Sequence, residues 1–143
     1  MAETIFAKII RDELPSYKVY EDNHTLAFLD LHPLSEGHTL LIPKVPVATL
    51  DQLSDEASAA IGRVLPRLCR AILKATGAKA YNVLQNNGSE AYQSVFHVHF
   101  HIIPRFPERA TGGGLGLNWE PQPLQIKLAE PLAQSIRLEA TRK

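Results

Sequence analysis

Residues 95–103, Val-Phe-His-Val-His-Phe-His-Ile-Ile, constrain this chain more than any other segment. Every second position from His97 to His101 is histidine, and the intervening Val98 and Phe100, with Ile102 after them, are apolar. Side chains of a β-strand alternate between two faces. The pattern therefore predicts a strand over 95–103 with three imidazoles on one face and the apolar residues turned to a core on the other. Neighbouring histidines on such a face stand roughly 6.5–7 Å apart, from a rise of about 3.3 Å per residue. At that spacing three rings can surround one tetrahedral group.

The rest of the chain supplies elements around that strand. Ile5, Phe6, Ile9 and Ile10 recur at helical spacing behind Thr4, a capping residue, and Pro15 stops the short helix they predict. Residues 17–20 and 25–29 are β-rich and flank the polar cluster Glu21-Asp22-Asn23-His24, which predicts a hairpin. Thr39-Leu40-Leu41-Ile42, ending at Pro43, makes a third strand. From Ser54 the period changes to 3.6: Ile61, Val64, Leu65, Leu68 and Ile72 form one stripe, Asp55 and Glu56 suit the positive helix end, and Gly77 closes it. Pro66 withdraws the hydrogen bond to the carbonyl of Gly62 and predicts a kink. Residues 81–85 predict a strand and 86–93 a polar loop. Beyond Pro104, Gly112, Gly113, Gly114 and Gly116 predict a flexible loop without the lysine of a phosphate-binding P-loop, and Pro121 and Pro123 open a terminal helix to about Glu139.

Composition narrows the function. Of 143 residues 45% are hydrophobic and 21% charged, which is ordinary for a soluble globular domain. Fifteen basic residues balance fifteen acidic ones, so no net field draws the chain to a nucleic-acid polymer or an anionic membrane. Cys69 is the only cysteine, which excludes an internal disulfide and a cysteine-rich zinc centre and suits a reducing compartment; beside Leu68 and Ile72 it reads as a small buried apolar residue. With no apolar run for a signal segment or a membrane span, the expected location is the cytoplasm.

Three chemistries fit the histidine strand. The imidazoles could decorate a solvated sheet face, although strict alternation is unusual for that role. They could hold a catalytic zinc, as three histidines and a water do elsewhere. Or a neutral imidazole attacks phosphorus with one nitrogen while the other is held as a donor, and flanking imidazoles donate to the phosphoryl oxygens. By symmetry His99 is then the nucleophile and His97 and His101 its flanks.

His97-Val98-His99-Phe100-His101-Ile102-Ile103 resembles the His-φ-His-φ-His-φ-φ signature of the histidine triad (HIT) family, φ being apolar. Thr4–Ile10 is similar to the family's amino-terminal helix, and residues 26–30 with 37–44 resemble its ribose-contacting hairpin and following strand. Asn86-Asn87-Gly88 with Gln93-Ser94-Val95 resembles the loop leading into the triad. The likeness covers about residues 4–104. It implies an α+β fold: an antiparallel sheet of about five strands with a long helix and a short N-terminal helix. We expect one domain over 1–143, with its core at 4–104 and a variable tail at 105–143.

The resemblance also implies roles. His99 matches the nucleophile of a covalent nucleotidyl-histidine intermediate, His97 and His101 its phosphate-contacting flanks, and His38 the additional histidine near the triad. Asp30 matches the ribose carboxylate; Phe6, Ile9, Phe28 and Leu31 match the base pocket; Asn86, Gln93 and Ser94 match residues near the α-phosphate and leaving group. Expected is a purine nucleoside phosphoramidase-like hydrolase cleaving at the α-phosphate, in a homodimer, with no cofactor, metal, nucleic-acid polymer or membrane partner. Dinucleoside polyphosphate hydrolysis and a nucleotide-binding module with incidental turnover are the alternatives. Nucleotidyl transfer fits less well, because that branch carries Gln where this chain has His101. Some bacterial relatives place a zinc-binding cysteine at Ala7, where this chain has none. The loop Ser89-Glu90-Ala91-Tyr92 is poorer in glycine than the phosphoramidase branch, and His24 and His32 match nothing and read as turn residues.

Overall fold

The protein is described from a computed structural model, in which residues 3–107, Leu115 and 119–142 are placed. The chain forms two compact units, Met1–Gly112 and Gly113–Lys143. Among the described residues of the first unit, five strands make one antiparallel sheet in the order β1-β2-β3-β5-β4. They are β1 (Lys18–Glu21), β2 (Thr25–Leu29), β3 (Thr39–Pro43), β4 (Ala80–Gln85) and β5 (Phe100–Arg105). Helices α1 (Ile5–Ile10) and α2 (Asp55–Thr76) complete the expected α+β fold.

Local chemistry explains the boundaries. The Thr4 hydroxyl accepts the N–H of Ala7 at 3.1 Å and caps α1. This helix ends at Ile10, before Pro15, because Asp12 turns left-handed at φ 60°. Ser54 caps α2 through the N–H of Ala57 at 3.1 Å, and Gly77, at φ 78°, closes it by donating to the Leu73 carbonyl. The helix is continuous through Pro66. Gly62 and Pro66 are both exposed, so the carbonyl that loses its partner faces water.

Strand alternation sorts the core onto two faces. Ala27, Leu41 and Ile102 pack under α2 with Ile61, Val64, Leu68, Cys69 and Ile72. Leu26, Phe28, Leu40 and Ile42 face the other way and bury Phe6 and Ile9 of α1. In register, His101 lies opposite Leu40 on β3 and Leu84 on β4, which puts it on the α1 side of the sheet.

The histidine strand is shorter than its sequence pattern predicts. The ladder begins at Phe100, so His97 and His99 precede β5 in irregular backbone and His101 alone of the three belongs to it. The cause lies across the sheet. Pro43 ends β3 without an N–H to offer, and its carbonyl is taken by the His97 ring. Val98 turns away and donates its N–H to Val47 at 2.9 Å.

The 86–93 loop contains a short 3-10 turn at Ser89–Ala91. In the second unit, α3 (Ile126–Ala140) is the terminal helix; it starts three residues beyond Pro123, and Pro131 lies within it. Gly112, Gly113, Gly114 and Gly116 lie outside the described residues. Among those that are described, no helix is long and apolar enough to cross a membrane.

Candidate active site

The α1 face of the sheet carries a cleft beside the histidines. Phe6 and Ile9 from α1, Phe28 and Leu29 from β2, Leu40 from β3 and the turn residues Asp30 and Leu31 line a space of about 120 Å³. Phe6 is the hinge between cleft and histidines. Its ring meets Phe28 edge-on at 5.5 Å between centroids, His97 at 6.1 Å and His99 at 5.0 Å. The ring centroids of His99 and His101 stand 5.0 Å apart, His99 lying just before β5 and His101 within it.

Hydrogen bonds fix which nitrogen of each ring carries the proton. The His99 Nδ1–H donates to the carbonyl of His97 at 2.7 Å, leaving its Nε2 lone pair for chemistry. The His97 Nε2–H donates to the Pro43 carbonyl at 2.7 Å. His38 Nδ1 accepts the backbone N–H of Leu34 at 3.0 Å, so the neutral His38 ring holds its proton on Nε2 and donates it to His101 Nδ1 at 2.9 Å. While it accepts that bond, His101 carries its own proton on Nε2. The arrangement prepares one nucleophilic nitrogen, on His99, and one adjacent donor, on His101.

Burial favours these neutral forms. His97 and His99 are 1% and 4% exposed, so neither is a solvated surface histidine. Burial pushes the pKa of His97 down against the pull of the Pro43 carbonyl, and that of His99 down against the His97 carbonyl and Asp30. His38 is lowered by burial, with Asp30 opposing. His101 is lowered to about 4, mainly by burial, with repulsion from His99 and His38 adding to it. A histidine whose folded pKa is depressed stabilises the fold fully above its unfolded value and loses that contribution as pH falls toward the folded one. The denaturant midpoint is therefore expected to hold above pH 6.5 and to fall progressively toward pH 4. Urea titrations across that range check it.

Two metal arrangements can be tested against these residues. Asp30, His38 and His101 bring a carboxylate oxygen and two ring nitrogens within 4.8 Å of one another. A metal-binding histidine donates its other N–H to an acceptor. His38 has the reverse arrangement: its Nδ1 faces the Leu34 N–H, which commits Nε2 to donating, so the cluster is a hydrogen-bond relay. Beside Ala7 a separate pocket is lined by Glu3, Thr4, Arg11, Pro46, Phe96 and His97, which include a guanidinium and no thiolate, a set unsuited to structural zinc.

The expected base-pocket residues Phe6, Ile9, Phe28 and Leu31 do converge with Asp30. Pro15, Ser16 and His32 join them unforeseen; the position of His32 two residues after Asp30 was the available signal. The approach-loop residues are placed otherwise. Gln93 is buried with its side chain committed to backbone: its Nε2 donates to the carbonyls of Ala48 and Val95, and its Oε1 accepts the Gly88 N–H. Asn86 reaches the Tyr92 carbonyl at 3.5 Å. Ser94 is exposed. Burial also pushes the Cys69 thiol up, as expected for an inert core cysteine.

Residues 11–108 match the model of the HIT domain. The chain belongs to the HIT family. An adenosine 5′-monophosphoramidase of Schizosaccharomyces pombe is 46% identical over 132 residues, covering 92% of this chain and 94% of the relative. An adenylylsulfatase of Arabidopsis thaliana is 48% identical over 103 residues, 72% of this chain and 52% of that one. Among solved structures, a histidine triad nucleotide-binding protein of Candida albicans superposes with a TM-score of 0.83 at 39% identity, covering 96% of this chain and 97% of that one. These HIT relatives include the phosphoramidase branch that the motifs resemble.

Proposed function

We propose that this HIT-family protein is a nucleotide hydrolase of the purine nucleoside phosphoramidase type, acting at the α-phosphate through a covalent nucleotidyl-histidine. The observation that carries the reading is His99: its Nδ1–H is held by the His97 carbonyl, its Nε2 lone pair is left for attack, and its ring abuts the Phe6 wall of the cleft. In the first step Nε2 forms a bond to phosphorus, and the phosphorus–nitrogen bond to the leaving amine breaks, the amine taking a proton from water. The His97 carbonyl steadies the positive charge that the ring then carries. Water next attacks phosphorus, the bond to Nε2 breaks, and nucleoside monophosphate leaves. His101 offers its Nε2–H to the phosphoryl oxygens, Asp30 holds the ribose hydroxyls, and Phe6, Ile9, Phe28 and Leu31 cover the base.

The relative named adenosine 5′-monophosphoramidase supports an amine leaving group, and the one named adenylylsulfatase supports attack at the same α-phosphate with a different leaving group. Gln93 and Asn86 act here by bracing the loop that carries Ser94 toward the substrate. We place the protein in the cytoplasm as a homodimer. Supporting the dimer, β4 is an end strand of the sheet with Ala80, Tyr81, Asn82 and Val83 all exposed, an edge of the kind a second copy can cover.

Mixing with adenosine 5′-phosphoramidate and quenching in acetone is expected to give a protein heavier by one adenylyl group, on His99. Turnover without any such adduct under single-turnover conditions would replace the covalent route with direct attack by water.

A further inference from the structure

Asp30 faces two ways. It lines the cleft beside Phe28 and Leu31, and its carboxylate reaches the histidine relay. Its two oxygens have different tasks. Oδ1 accepts the N–H of His32 at 2.9 Å and closes the turn after β2. Oδ2 lies 3.5 Å from His38 Nε2. That nitrogen has a single proton, and His101 Nδ1 competes for it at 2.9 Å. Distance favours His101, whereas charge favours the carboxylate, because a bond to an ionised acceptor is roughly twice as strong as a neutral one. The two residues are also tied through backbone, the Asp30 N–H donating to the His38 carbonyl at 2.9 Å, so neither shifts independently of the other.

We infer that Asp30 couples ribose recognition to the donor that faces the phosphate: nucleoside hydroxyls bonded to its carboxylate release the His38 proton wholly to His101 Nδ1 and so fix the His101 proton on Nε2. The inference rests on the nucleotide-hydrolase reading. Asp30 is then both a ribose contact and a positioning residue. It follows that the ribose hydroxyls raise the rate of the bound complex as well as its affinity, since they improve a contact made to the reacting phosphoryl group. The ligand class is narrowed to nucleotides with both ribose hydroxyls present. A dideoxy nucleotide can fill the apolar cleft through its base but leaves the proton divided.

Two measurements on the full chain test this. In the first, ring-nitrogen NMR follows titration with adenosine or with 2′,3′-dideoxyadenosine. Adenosine is expected to move the His38 and His101 resonances, whereas the dideoxy nucleoside leaves the two histidines in place while aromatic proton–carbon spectra show the Phe6 ring signals moving. In the second, single-turnover rates at saturation are compared for the ribo and 2′,3′-dideoxy phosphoramidates. The dideoxy substrate is expected to react about tenfold more slowly, the worth of one well-made hydrogen bond, and Asp30→Ala to erase the difference. Equal histidine shifts from both nucleosides, or a dideoxy defect confined to KM, overturns the coupling. A protein that binds neither nucleoside overturns the hydrolase reading and the coupling together, while one that binds without hydrolysis leaves the NMR comparison to decide. If Asp30→Ala does not fold, the comparison of substrates on the unaltered protein decides.

Discussion

His99→Asn is expected to lower turnover of adenosine 5′-phosphoramidate by about four orders of magnitude or more, the scale on which enzymes lose rate when their nucleophile is removed. Asparagine is the informative replacement. Its amide retains a donor that can approach the His97 carbonyl, which now accepts the His99 Nδ1–H at 2.7 Å, but it has nothing in place of Nε2. The cleft walls Phe6, Ile9, Phe28 and Leu31 are untouched, so nucleotide affinity by calorimetry should change by less than about tenfold. A variant that binds without reacting assigns the chemistry to His99. Residual turnover within a hundredfold of the unaltered protein would transfer the nucleophile to another group.

The same residue shows where sequence reading reaches its limit. Period-two alternation correctly separates His101 from Ile102 across β5, because that part of the segment pairs with strands on both sides. For His97 and His99 it gives the right face, since both rings meet Phe6, but the wrong extent of strand, since both precede the ladder. Whether backbone stays in a ladder depends on what the neighbouring strand offers, and Pro43, distant in sequence, offers no N–H and a carbonyl that the His97 ring itself occupies. Nothing within residues 95–103 reports that Pro43 is the residue they will meet.

Elements governed by their own residues were legible. Thr4 and Ser54 cap where their hydroxyls predict, Gly77 ends α2 in the left-handed conformation, and Phe6, Ile9 and Phe28 meet on one sheet face. Roles governed by hydrogen-bond direction were not. The family resemblance marks His38 as a histidine near the triad, but the Leu34 N–H that sets its tautomer is supplied by the turn's conformation. Gln93 likewise looks from its position like a phosphate contact, and only the three backbone groups around it show that its amide is already committed.

Gly37→Ala is expected to cost about 2–5 kcal/mol of stability and to lower the melting temperature by roughly 10 °C. Two independent effects add. Gly37 has φ +88°, where an alanine is strained, and a Cβ built there would lie 2.6 Å from Thr76 Cγ2 and 3.3 Å from Pro104 Cγ. Neither neighbour yields easily. The Thr76 hydroxyl donates to the Ile72 carbonyl at 2.8 Å, which holds the methyl toward Gly37, and Pro104 is a ring whose carbonyl accepts the Ser35 hydroxyl at 2.6 Å. The damage extends to the site, because His38 follows directly and its N–H donates to the Ser35 carbonyl at 3.1 Å. A shift of this turn pulls the His38 ring from Leu34 and His101, so kcat should fall in the fraction that remains folded. Combining Gly37→Ala with Thr76→Ser separates the two effects: serine keeps the hydroxyl and removes the clashing methyl, so the second change should restore the packing share of the loss and leave the backbone share. If the single variant melts with the unaltered protein, the turn has room that these distances deny it, and the close approach of Gly37 to α2 is not what holds His38 in place.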